Sequence, residues 1–407
     1  MTALPVRYAG VEESAARIPA SVVWEITLAC DLACSHCGSR AGRRRRDELS
    51  TAECLDLITQ IAGLGTRGVG LIGGEAYLRK DWLQIIAAID AAGMECTLQS
   101  GGRNLTDKRL ADAAAAGLQG VGLSIDGLRE VHDEVRGVPG SYELALAALR
   151  NVRAHGMVAT VNTQINARSL PQLRELMEVI IAAGATNWQL ALTVAMGNAA
   201  DHPELLLQPY DLLALMPLLA ELSLEARERG LFVQPANNIG YFGPYESILR
   251  NVIEEEIHWH GCGAGDTVFG IEADGTIKSC PGLPSPYAGG NIRDKSLREI
   301  WETAEPLAYT RRRTVDDLWG FCRTCYYADV CMGGCTWTSH PLFGRPGNNP
   351  MCHYRALEMD KQGLRERLVK VKDAPGRSFD HGEFALIVEP AGPALPDRVR
   401  DRIMVGG

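Results

Sequence analysis

Val22-Val-Trp-Glu-Ile-Thr-Leu28, followed almost at once by Cys30-Asp-Leu-Ala-Cys34-Ser-His-Cys37, is the stretch on which the reading of this chain turns. Its first half is an apolar run, partly β-branched, with the character of a buried strand. Three thiols then fall within eight residues. At the C-terminal mouth of a strand such a loop can grip three corners of a cubane iron–sulfur cluster, because each iron takes a thiolate. The fourth iron would be left for a small molecule. Zinc is the alternative, but a closed structural zinc site takes four ligands, usually as two separated pairs. His36 would have to be the fourth, at an awkward spacing.

At 407 residues the chain is long enough for two or three domains, or for a barrel plus a smaller unit. Its net charge of −9 argues against nonspecific nucleic-acid binding, which needs a basic surface. The one basic run, Arg43-Arg-Arg-Arg46, reads as a solvated loop, with a contact to an acidic peptide or phosphate as the alternative. Met1-Thr-Ala-Leu-Pro-Val-Arg7 has no signal-peptide pattern, and no apolar run is long enough to span a membrane, so a cytoplasmic location is expected. In that compartment twelve clustered cysteines point to metal ligands rather than disulfides.

Strand-like runs recur at 22–27, 69–72, 96–99, 121–125, 158–165 and 188–192. Helical patterns separate them. Ser50-Thr-Ala-Glu53 is a capping box, Leu83, Ile85, Ile86 and Ile89 share a helical spacing, and Thr106 and Ser169-Leu-Pro171 open further helices. Such alternation makes a parallel sheet with right-handed crossovers. Six units are too few for a closed eight-strand barrel but suffice for a partial (β/α)6 TIM-like barrel, with functional groups at the strand C-termini. Residues 210–230 should form a helix leaving the barrel, 232–234 a further strand, and the Pro/Gly/Asn-rich 235–244 a junction. Beyond 372 a surface extension is expected, with an edge strand possible at 384–388. Cys54 and Cys96 lie inside a helix and a strand and read as buried apolar residues.

The order Cys-x3-Cys-x2-Cys after the first strand of an incomplete barrel resembles the radical S-adenosylmethionine (SAM) superfamily. In that family SAM chelates the open iron, an electron cleaves its C–S bond, and a 5′-deoxyadenosyl radical abstracts hydrogen from the substrate. Gly73-Gly-Glu75 at the second strand end is similar to the family motif that meets the SAM ammonium, with Ala76 where Pro is usual. Gln99-Ser-Gly-Gly102 and Ser124-Ile-Asp-Gly127 follow at the next strand ends, the latter trailed by Arg136. The resemblance implies Ser100 at the ribose or methionine portion, and Ser124 and Arg136 at the SAM carboxylate, which a guanidinium fork matches. Asn162, Gln164 and Gln189 are polar residues in apolar strands. Each needs a partner, and Asn162 and Gln189 are expected to touch SAM or substrate.

The later cysteines resemble a SPASM extension: Cys262, twelve residues, Gly275, four residues, Cys280, then Cys322-x2-Cys325-x5-Cys331-x3-Cys335, then Cys352. The resemblance implies two auxiliary [4Fe-4S] clusters besides the SAM-binding one. Cys322, Cys325, Cys331 and Cys352 would hold one; Cys262, Cys280 and Cys335 would hold the other. The latter would have an open iron or an unusual ligand from substrate, His260 or Asp266. Structural zinc is the alternative, but seven ligands do not close two zinc sites unaided.

The expected organisation is a radical SAM core over 1–209, a bridging helix and loop over 210–255, a small irregular SPASM domain over 256–372 and an extension over 373–407. The resemblance implies oxidative modification or cross-linking of a ribosomally synthesised peptide, with flavodoxin or ferredoxin as reductant. Pro281 stands where sulfatase-maturing relatives carry an acid, which argues against that activity. Only 29 residues precede Cys30, so a separate leader-binding protein, or direct binding, is expected. Substrate groups are sought in Tyr241-Phe-Gly-Pro-Tyr-Glu246 and Trp337-Thr-Ser-His340. The alternatives are a small-molecule dehydrogenase acting on a sugar, aminoglycoside or tetrapyrrole precursor, and a non-enzymatic electron-transfer protein, against which Glu75, Ser124 and Arg136 argue.

Overall fold

The computed structural model describes residues 11–250 and 261–392. The expected boundary at 255–256, the candidate ligand His260, and residues 1–10 and 393–407 lie outside the described residues. Where the sequence alternates, strands form: β1 Ser21–Glu25, β2 Gly68–Ile72, β3 Glu95–Ser100, β4 Leu118–Ser124, β5 Val158–Ile165, β6 Asn187–Leu192 and β7 Phe232–Pro235. They pair in parallel and in sequence order. In β5, buried Ala159, Val161, Thr163 and Ile165 alternate with half-buried Thr160, Asn162 and Gln164, so one face packs on helices and the other lines a concavity. The core lies between sheet and helices, with Trp24 and Trp188 fully buried.

Local signals set the helix ends. In α1 (Thr51–Gly63) the Ser50 side chain accepts from Glu53 N while Ser50 N donates to Glu53 Oε2 at 2.7 Å. In α2 (Trp82–Ala91) the buried face is Trp82, Ile85, Ile86 and Ile89, with Leu83 half-buried at its flank. α3 (Asp107–Ala115) is capped by Thr106.

Three expectations need correction. First, β8 (Val268–Ile271), β9 (Thr276–Lys278) and β10 (Ala288–Asn291) do not stand apart from the barrel. β8 pairs in parallel with β1, giving one ten-stranded sheet ordered β10-β9-β8-β1-β2-β3-β4-β5-β6-β7, so the sheet crosses the boundary expected at 256. Gly270 in β8 lets the segment after β9 close onto the sheet, since a Cβ there would sit 2.5 Å from Pro281. Second, the edge strand expected at 384–388 is present, but it ties the segment beyond 372 to the preceding domain rather than leaving it a surface extension. β11 (Leu364–Lys372) pairs with β12 (Glu383–Pro390) across that boundary, and the connecting turn returns to the cysteine loop: Phe379 N donates to Gly38 O at 3.1 Å and Arg40 Nε to Asp380 Oδ1 at 2.9 Å. Third, Pro203–Glu228 is long and apolar enough to cross a membrane by composition. Within it α4 (Leu212–Glu228) is largely buried and packs on β7, the pattern of a core helix. The basic run is also only partly solvated, because Arg45 turns inward to Glu272 at 2.7 Å and Asp274 at 3.4 Å.

Candidate active site and metal centres

The loop after β1 holds Cys30, Cys34 and Cys37 by backbone and side-chain donors. Leu32 N donates to Cys30 Sγ at 3.4 Å, Ala41 N to Cys37 Sγ at 3.3 Å, and Arg136 Nη1 to Cys34 Sγ at 3.6 Å. Burial pushes the Cys30 thiol up to about 12 and the Cys34 thiol up to about 11. Such thiols are poor nucleophiles but good metal ligands, since bound iron supplies the positive charge that burial withholds.

Glu75 meets this loop from β2. Glu75 N donates to Ala29 O at 2.7 Å and Gly74 N to Thr27 O at 2.8 Å, so the second strand end is laced to the first. Gly73 and Gly74 permit it, because a Cβ on either would collide with the carbonyl of Thr27 or Ala29. The ligand atoms of Cys30, Asp31 and Glu75 all lie within 4.8 Å of one another. Burial raises the Glu75 carboxyl to about 7, against the pull of Ser100 Oγ and Gly101 N, each donating at 2.6 Å. Ser100 thus orients Glu75 directly.

A second polar knot lies under the loop. Asp126 is fully buried and accepts from Arg136 Nη2 at 2.6 Å and Gln164 N at 2.9 Å, with His36 Nε2 at 2.9 Å. Burial alone would raise its carboxyl, but Arg136 and then His36 outweigh it and hold it below the usual carboxylate range. Asp126 sits inside the Ser-Ile-Asp-Gly stretch yet was not singled out by sequence, because an acid beside a glycine reads as turn chemistry. Arg136 is correspondingly less free than expected: two of its three nitrogens are engaged, and Nε is buried without a partner. Ser124 ends β4 in register with Asn162, which is in register with Gln189. Asn162 Nδ2 donates to Gln99 Oε1, and its Oδ1 is buried without a partner. The donor set fits the implied groups: three thiols, Cys34 buried and Cys30 and Cys37 half-buried, a carboxylate beside them, and orphaned polar atoms on the same side of the sheet.

The later cysteines gather into two groups. Cys322, Cys325, Cys331 and Cys352 line one cavity with Tyr241, Phe242, Tyr327 and Arg355. Cys262, Cys280 and Cys335 act on one another, and burial, first, then these neighbours push Cys335 up to about 12. Tyr241 joins the groups rather than facing solvent. Its hydroxyl accepts from Cys335 N at 3.0 Å and donates to Asn237 O at 2.6 Å, and its carbonyl lies 3.8 Å from Cys352 Sγ. Tyr241 is 1% exposed, so its expected part in substrate contact is withdrawn. Trp337 packs against Val194, Met196 and Phe379 on one side and against Tyr241 and Cys335 on the other, with its indole nitrogen buried and unpartnered. Cys54 and Cys96 are buried in the main core.

Residues 24–167 match the radical SAM superfamily model, and residues 262–326 match the SPASM iron–sulfur cluster-binding domain. An AdoMet-dependent heme synthase of Oleidesulfovibrio alaskensis is 30% identical over 358 residues, 82% of this chain and 87% of the relative. The mycofactocin maturase MftC of Mycolicibacterium smegmatis is 29% identical over 349 residues, 82% of each chain. Among solved structures, Streptococcus suis SuiB bound to S-adenosylmethionine superposes with a TM-score of 0.64 at 18% identity, over 79% of this chain and 74% of SuiB. The cysteine loop laced to Glu75, the mostly parallel sheet and these matches agree: the chain belongs to the radical SAM superfamily, as an iron–sulfur, SAM-dependent enzyme with a C-terminal SPASM domain.

Proposed function

We propose that this enzyme oxidises or cross-links a ribosomally synthesised peptide by hydrogen abstraction. With a cluster on Cys30, Cys34 and Cys37, reductive cleavage of SAM supplies the abstracting 5′-deoxyadenosyl radical. Gly73, Gly74 and Glu75 receive the SAM ammonium. Ser100 orients Glu75, Ser124 and the free edge of Arg136 take the carboxylate, and Asn162 and Gln189 border the substrate. Cys322, Cys325, Cys331 and Cys352 hold one auxiliary cluster and Cys262, Cys280 and Cys335 the other. Flavodoxin or ferredoxin is the reductant, and a separate leader-binding protein presents the peptide.

The observation that carries the peptide reading is the lining of the concave face. Asn162, Gln189 and Gln234 share one register row, and Gln164 and Asn187 lie on the same face of β5 and β6. Primary amides both donate and accept, which suits peptide groups. The maturase similarity supports the same class, as does the SuiB structure with its precursor peptide SuiA. Heme-synthase identity favours a tetrapyrrole as the second reading. The test is anaerobic co-expression with short peptides encoded beside the gene, followed by mass spectrometry. Loss of two hydrogens from one peptide is the expected result. Decarboxylation of a porphyrin precursor with every peptide unchanged overturns the reading.

A further inference from the structure

The three-cysteine group has a neighbour that no sequence signal marks. Tyr309 opens a short helical turn, Tyr309–Arg312, that is tied onto the loop after Cys262: Thr310 Oγ1 donates to Ala264 O at 2.6 Å and Arg311 Nη1 to Gly265 O at 2.6 Å. Its ring stands edge-on to Tyr287, with centroids 4.9 Å apart, and the Arg313 guanidinium lies 5.3 Å from its centroid. So fixed, the phenol cannot turn to water. Its hydroxyl is buried, its proton has no acceptor of good geometry, and the Thr336 hydroxyl and the thiols of Cys262 and Cys280 lie beside it. An orphaned donor of this kind is costly unless the functional state supplies an acceptor. Asp266, the candidate read from sequence, instead lies beside Arg311.

We infer that Tyr309 is a positioning residue for the auxiliary cluster on Cys262, Cys280 and Cys335, donating its phenolic hydrogen bond to the Cys262 thiolate and so raising that cluster's reduction potential. The phenol stays protonated; no proton or electron moves through it. A hydrogen bond to a ligating sulfur withdraws charge from the cluster and stabilises its reduced form. The effect would make this cluster the readier acceptor of the electron left on a substrate radical. The inference rests on the reading of these three cysteines as cluster ligands.

The test uses the full-length chain with Cys30, Cys34 and Cys37 replaced by Ala, so that only auxiliary clusters are titrated. Iron content, EPR and midpoint potentials are measured in this background and in Cys280→Ala, Tyr309→Phe and Tyr287→Phe versions of it. Cys280→Ala should lose one cluster's iron and one EPR signal while the other signal persists; unchanged iron there defeats the cluster reading itself. Tyr309→Phe should keep its iron and shift the potential of the signal lost in Cys280→Ala to more negative values. Tyr287→Phe, whose hydroxyl lies 3.1 Å from His340 Nδ1, should leave that potential in place. With the cluster present, an unmoved potential in Tyr309→Phe, or an equal shift in Tyr287→Phe, overturns the inference.

Discussion

Asp126→Asn is the most informative single change. The carboxylate is fully buried and is the counter-charge for Arg136 at 2.6 Å, with His36 at 2.9 Å and Gln164 N at 2.9 Å completing its shell. Asparagine keeps the volume and one acceptor oxygen but turns an N–H pair toward either Arg136 or His36. Breaking a buried charge pair by removing one partner costs about 3–5 kcal/mol, because the remaining charge stays desolvated. That is roughly two to four decades in the folded-to-unfolded ratio. Since the folded carboxyl is held below its usual range, this stabilisation is present above the unfolded value and lost as pH falls through the folded one. The variant should therefore differ most from the parent near neutral pH and converge with it in acid. The assay is anaerobic denaturant unfolding of the reconstituted enzyme across pH, with SAM affinity measured in parallel, because Arg136 also touches Cys34. A loss below about 1 kcal/mol at pH 7 would mean that Arg136 is satisfied without Asp126, and the proposed knot would be wrong.

Gly74→Ala forces a Cβ against Ala29 O and should cost about 1–3 kcal/mol by overpacking while abolishing SAM cleavage; 5′-deoxyadenosine yield reports it. Glu25 is raised by burial from 4.5 to about 7, so the folded chain binds the extra proton in that window and stability falls there by roughly 1.4 kcal/mol per pH unit; Glu25→Gln should flatten that slope in urea melts. Glu366→Ala strands Arg355, whose two nitrogens each reach the Glu366 carboxylate at 2.6 Å, and should lower unfolding free energy by about 3–5 kcal/mol. If Cys322, Cys325 and Cys331 hold iron as proposed, its removal should open the segment from Cys322 to Cys335 to protease before the sheet yields, because ligation would there replace a packed core; limited proteolysis with mass mapping reads the order of cuts.

The parallel strands were legible because apolar and β-branched runs carry their own signal, and all seven from β1 to β7 stand within three residues of where the sequence puts them. The grouping of the later cysteines came from the resemblance to SPASM proteins rather than from spacing, since seven thiols in a series leave many pairings open. What escaped was long-range. The pairing of Ser21 with Val268 joins β1 to β8 across more than half the chain, and no local pattern encodes it. Lys278, which no local pattern marks, is fully buried, paired with Glu272 at 2.6 Å and with its ammonium 3.7 Å from the Phe379 ring centroid. Asp126 and Tyr309 were missed for the same reason: their importance lies in what another segment brings beside them.

The turn between β11 and β12 bears on how the enzyme is assembled in a cell. Arg40 and Asp380, which tie that turn to the chain just past the first cysteine loop, are 340 residues apart. A ribosome therefore releases Cys30, Cys34 and Cys37 long before it makes Phe379 and Asp380. At about 5–20 residues per second this leaves a window on the order of tens of seconds. Through that interval the cysteine loop is without the Phe379 and Asp380 contacts that tie it to the hairpin in the finished fold.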